Sequence, residues 1–78
     1  MTSAADDYHA LGRALAALRR KAGKTQAQAG AAVQVSARHI STVEHGAGIA
    51  YPTLTALLRF YGVSLADLAR EIERGEGH

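Results

Sequence analysis

Apolar residues return along this chain at helical intervals, and no stretch alternates as a half-buried strand would. Leu11, Leu15, Leu18 and Ala22 are spaced by four, three and four, which predicts an amphipathic helix over residues 5–22. Arg19, Arg20 and Lys21 bring positive charge to its C-terminal end, where the helix dipole favours it, and Gly23 follows as a stop. A second helix opens at Thr25, whose spacing to Gln28 is that of a capping box; Ala29, Ala32 and Val33 form its inner face. A third spans residues 36–46. Ser36 is its N-cap, Val35 and Ile40 make a hydrophobic staple, Ile40 and Val43 point inward, and Gly46 ends it.

Residues 47–51 form a loop before Pro52, which suits the first position of a fourth helix because its missing N–H would be unpaired there anyway. Leu54, Leu57, Leu58 and Tyr61 make an inward stripe, and Gly62 stops it. Ser64 and Asp67 begin a fifth helix with a second capping-box pattern, stapled by Val63 and Leu68. Leu65, Leu68 and Ile72 are its apolar face, and residues 75–78 read as a disordered tail. The expectation is therefore an all-α fold: one compact five-helix bundle over residues 1–78, with its core at about 8–74.

Composition changes this picture in two ways. Of the 78 residues 47% are apolar, but many of these are alanine, so the interior depends on the leucines, Val33, Ile40, Val43, Phe60 and Tyr61. A core of that kind supplies only about 3–5 kcal/mol, so a homodimer is expected. Cysteine is absent, which removes disulfides, thiolate metal sites and thiol chemistry together. No apolar run approaches the roughly 20 residues of a membrane span, and residues 1–7 lack the basic and apolar segments of a secretory signal. A soluble, cytoplasmic protein with no membrane partner is expected.

The net charge of +2 conceals an asymmetry. Residues 8–63 carry Arg13, Arg19, Arg20, Lys21, Lys24, Arg38 and Arg59 against the single acid Glu44, while both ends are mildly acidic. A basic body of this kind suits a polyanionic partner. Only Gln34 and Val35 separate the second helix from the N-cap of the third. Two short helices joined so tightly cross steeply instead of lying antiparallel, which makes residues 25–46 a helix-turn-helix. The outer face of the third helix is then free to enter a DNA major groove. That face carries Ala37, Arg38, His39, Ser41, Thr42 and His45, with no acid among them.

Enzymatic chemistry is not expected: no nucleophile–base–acid set, metal-ligand spacing or phosphate loop is present. His39 and His45 lie six apart and point to different helix faces, so no metal is expected. Neither a cofactor nor a small-molecule ligand is indicated.

The series Thr25, Gln26, Val35, Ser36, Ile40, Ser41, Glu44, His45, Gly46, Pro52, Gly62, Val63 and Ser64 resembles the lambda-repressor-like (Cro/cI, Xre) helix-turn-helix family of bacterial and phage transcriptional regulators. The resemblance covers residues 11–72. It implies sequence-specific binding of double-stranded DNA, with a homodimer on a pseudo-palindromic operator. It further implies a phosphate contact for Gln26, base contacts for Ala37, Arg38, Ser41 and Thr42, and an ion pair of Arg19 with Glu44. The sole acid of a basic body independently needs such a partner. Arg38 suits bidentate reading of guanine or a phosphate clamp, and Thr42 suits a thymine methyl or a phosphate. Ser36, His39 and Lys24 complete the expected phosphate contacts, His39 being equally readable as a simple exposed residue.

Three departures from the family stand out. Ala29 replaces a usual leucine, Gly30 a usual alanine, and Gln34 a usual glycine at a turn position tending to positive φ. The loop 47–51 also lacks the usual cations. Its Ile49 and Tyr51 point either to a second subunit or protein partner, or to folding back onto the core. The alternative function is accordingly a protein-interaction module, antitoxin-like or repressor-antagonist, on the same fold.

Overall fold

The computed structural model describes residues 4–76 as five α-helices: α1 (Ala4–Lys21), α2 (Gln26–Val33), α3 (Ala37–Glu44), α4 (Tyr51–Tyr61) and α5 (Leu65–Glu76). The fold is an all-α helix bundle. α1 lies along α5 and across α3, α2 packs on both α3 and α4, and α4 meets α5. Leu15, Ile40, Val43 and Leu57 are almost wholly buried, and Ala14, Leu18, Ala29, Leu58, Tyr61 and Leu68 extend the same cluster. Every helix thus gives at least one side chain to a single core.

Local chemistry sets the ends. Thr25 Oγ1 accepts the Gln28 N–H at 3.0 Å while Gln28 Oε1 accepts the Thr25 N–H at 2.8 Å, closing the capping box of α2. Ser36 Oγ accepts the His39 N–H at 3.0 Å to cap α3. Ser64 and Asp67 bond reciprocally at the start of α5, at 3.1 and 2.8 Å. These bonds to Ser64, chiefly the one from its backbone N–H, hold the Asp67 carboxyl below its usual pKa.

Four expectations need correction. Ala32 is exposed, because α2 packs on two helices and its buried face centres on Ala29 and Gly30 with Val33 beside them. Leu65 is 47% exposed: it is the first residue of α5, beside a shallow groove whose other side is the end of α4 (Thr55, Leu58) and Val63. α5 continues through Gly75 and Glu76, assigned above to the tail, where Gly75 lies close under the Arg13 guanidinium; residues 77–78 lie outside the described residues. α4 begins at Tyr51, so Pro52 is its second residue. Within the preceding loop the two open residues separate: Ile49 packs on the core, whereas Tyr51 is 63% exposed.

Candidate nucleic-acid interface

The turn between α2 and α3 is built by backbone. Gln34 adopts the left-handed conformation, φ 64° and ψ 41°, and both its N–H and that of Val35 reach the Gly30 carbonyl. A Cβ on Gly30 would lie 2.5 Å from the Val35 oxygen and 3.0 Å from the Ser36 carbonyl carbon. The departure at Gly30 is therefore a packing requirement: only glycine lets the chain return this closely. The departure at Gln34 is a strain, since a side chain with positive φ costs about 1–2 kcal/mol. Gln34→Gly should raise stability by about 0.5–1 kcal/mol after its added unfolded-state entropy, or roughly 2–6 °C in Tm by calorimetry. A lower Tm would show that the Gln34 conformation is unstrained.

α3 leaves this turn with Ile40 and Val43 buried and the opposite face turned to solvent. Ala37, Arg38, His39, Thr42 and His45 are exposed, and Ser41 is half-buried. Thr42 Oγ1 donates to the His39 carbonyl at 2.8 Å, which leaves its methyl and both acceptor lone pairs for a partner. His45 Nδ1 lies 2.7 Å from the Ser41 carbonyl, so that ring is held against its own helix.

The rear of α3 is clamped by charge and by close backbone approach. Arg19 Nε and Nη2 donate to the two Glu44 carboxylate oxygens at 2.6 and 3.1 Å, and Nη1 donates to the Lys24 carbonyl at 2.9 Å. Gln26 Nε2 donates to Glu44 Oε1 at 3.0 Å. One carboxylate thus joins α1, α2 and α3. Its hydrogen bonding raises the Arg19 pKa above the usual guanidinium value. Beside it, Gly12 of α1 lies against the α3 backbone: a Cβ there would sit 2.5 Å from the Val43 oxygen and 2.7 Å from that of Glu44. A profile of the helix-turn-helix domain family matches residues 10–76.

The chain belongs to the helix-turn-helix domain family. No curated protein and no solved structure matches it. In this helix-turn-helix domain Ser36, Ala37, Arg38, His39, Ser41 and Thr42 share α3 and its cap, while Gln26 is drawn into the Glu44 cluster behind it.

The basic residues at the end of α1 are largely engaged internally. Arg19 is paired with Glu44, Lys21 Nζ with Glu71 at 3.1 Å, and Lys24 Nζ stands 5.1 Å over the Phe60 ring. The family resemblance and the lone acid of a basic body foreshadowed the Arg19–Glu44 meeting, but neither the Gln26 link nor Gly12. The one signal for Gly12 was a glycine inside a helix, where it costs about 1 kcal/mol.

Behind the cluster, the Tyr61 hydroxyl is buried without a hydrogen-bond partner among the described residues. Burial first, and the Glu44 charge second, push its pKa up to about 12 from an ordinary 10.0. A proton held more tightly in the folded state stabilises fully below pH 10, and that contribution is lost as pH rises toward 12. Tyr61→Phe should therefore flatten the fall of stability between those limits in urea titrations; an unchanged slope would place the alkaline loss elsewhere.

Proposed function

We propose that this domain is a sequence-specific transcriptional regulator of the lambda-repressor-like (Xre) type. It binds double-stranded DNA through α3 in the major groove and acts as a homodimer on a pseudo-palindromic operator. The observation that carries this reading is the exposed face of α3. It holds an arginine with no ion pair among the described residues and small or hydroxyl side chains, with its one acid, Glu44, turned to the rear and neutralised. Arg38 is the base reader, Ala37, Ser41 and Thr42 line the approach, and Ser36 and His39 meet phosphates. Gln26 and Lys24 lie close enough to the same face in sequence for backbone contacts, with side chains already partly engaged.

Sites selected from a random duplex pool should share a half-site motif repeated about one helical turn apart. Affinity for them should fall steeply as salt rises. Arg38→Ala should remove preference at one position of each half-site, losing about 1–3 kcal/mol of discrimination, with other positions unchanged. A loss uniform over all sequences would make Arg38 a phosphate clamp.

A second reading, the protein-interaction module, is favoured by the uncharged 47–50 loop and by Tyr51 at 63% exposure. Failure to retain any duplex at low salt would select it over the first.

A further inference from the structure

Away from α3, the seam between α1 and α5 opens into a groove of about 290 Å³. Its floor is made of small side chains, Ala10, Ala14 and Ala17 of α1, with Ile72 of α5 opposite. Ala10 and Ala14 are almost wholly buried, so the floor open to a ligand is chiefly Ala17 with Ile72 opposite, both half-buried. Leucines at these α1 positions would fill it, as Leu15 and Leu18 fill the neighbouring core. The rim carries Arg13 and Arg20 from α1 and Arg74 from α5.

The charges on that rim do not balance. Its one carboxylate, Glu71, already accepts Lys21 Nζ at 3.1 Å and Arg74 Nη1 at 3.3 Å. Among the described residues Arg13 and Arg20 have no acidic partner, and they stand seven residues apart, two turns along the same face with Ala17 between them. Arg13 is also placed, its guanidinium 3.7–3.8 Å from where a Cβ on Gly75 would stand. Two unpaired guanidiniums beside an apolar floor ask for a planar or tetrahedral anion on an apolar body, because guanidinium forks match carboxylate and phosphate oxygens. The volume lies at the small end of ligand pockets and admits a short chain or a single ring.

We propose that the α1–α5 groove binds a small amphipathic anion. Its carboxylate or phosphate head sits on Arg13 and Arg20, and its apolar body lies over Ala17 and Ile72. This inference does not rest on the DNA-binding reading.

Octanoate and octyl phosphate, titrated into the full chain and followed by amide NMR, test it. Saturable shifts confined to α1 and α5 and centred on Ala14, Ala17 and Ile72 are expected from at least one probe, and the stronger identifies the head group. Octanol, which has no head, and inorganic phosphate, which has no body, should each bind at least about tenfold more weakly. Arg13→Gln with Arg20→Gln should weaken the better probe about tenfold or more. Ala17→Leu should abolish binding by filling the groove while leaving both guanidiniums. Unsaturable shifts, shifts spread over Arg38 and Arg59, or equal binding by the double variant would overturn the proposal. So would displacement of the probe by duplex DNA, which would make Arg13 and Arg20 phosphate contacts; failure of DNA binding alone leaves the groove result standing.

Discussion

Gly12→Ala should lower the melting temperature by roughly 10–20 °C, although alanine is the better helix former. Helix propensity alone favours the substitution by about 1 kcal/mol. Against this stands a Cβ placed 2.5 Å from the Val43 oxygen, 2.7 Å from the Glu44 oxygen and 2.8 Å from the Glu44 carbonyl carbon. These are backbone atoms of α3, so no side chain can swing aside; α1 and α3 must separate. Forced overpacking of this kind costs typically 1–3 kcal/mol and occasionally more, so a net loss of about 2–3 kcal/mol is expected. At roughly 4–8 °C per kcal/mol for a domain of this size, calorimetry resolves it easily. A melting temperature equal to or above the parent's would show that α1 and α3 are not in backbone contact. The same displacement would shift the exposed face of α3, so on the proposed function duplex affinity should fall even at temperatures where Gly12→Ala remains folded.

Gly12 also marks the limit of what the sequence discloses. Helix starts were legible because a cap is a local event: Thr25 with Gln28, Ser36, and Ser64 with Asp67 each satisfy N–H groups within one turn. The core stripe was legible for the same reason, since Leu11, Leu15 and Leu18 on α1, Ile40 and Val43 on α3, and Leu54, Leu57, Leu58 and Tyr61 on α4 recur at helical spacing. What escaped depends on two or more elements at once. Ala32 and Leu65 belong to the right stripes by spacing, yet exposure is decided by which neighbours reach them. Ile49 and Tyr51 both read as loop residues in the sequence, and only the path into α4, which begins at Tyr51, sends one inward and the other out. Likewise, spacing cannot reveal that Lys21 and Lys24 are engaged by Glu71 and Phe60, because those partners lie on α5 and α4. The outer face of α3 was legible except at Ser41, which is half-buried, since the rest follows from Ile40 and Val43.

Glu44→Ala is the second large effect, an expected loss of about 3 kcal/mol. The carboxylate is 6% exposed and Arg19 is 12% exposed, so neither charge is recovered by water when the other is removed. Breaking a buried pair from one side typically costs about 3–5 kcal/mol, and Arg19 keeps its bond to the Lys24 carbonyl, which places the loss at the lower end. Glu44→Gln, which keeps the shape and one acceptor, should cost about half as much. Arg19→Met with Glu44→Leu should restore most of the stability, because apolar replacement of both partners removes the desolvation that single replacement leaves exposed. Calorimetry on the parent, Arg19→Met, Glu44→Leu and the double variant gives the coupling between the two sites as a double-mutant cycle. Additive losses would mean that Arg19 and Glu44 act independently, and a loss under 1 kcal/mol for Glu44→Ala would mean the carboxylate is solvated. Stability and orientation should then part company. The ion pair and the Gln26 bond converge on one carboxylate from fixed directions, whereas methionine and leucine pack without direction. On the proposed function, duplex affinity of the double variant should therefore remain below that of the parent even where its melting temperature has recovered. Recovery of both together would assign the angle of α3 to the Gly12 contact and the core alone.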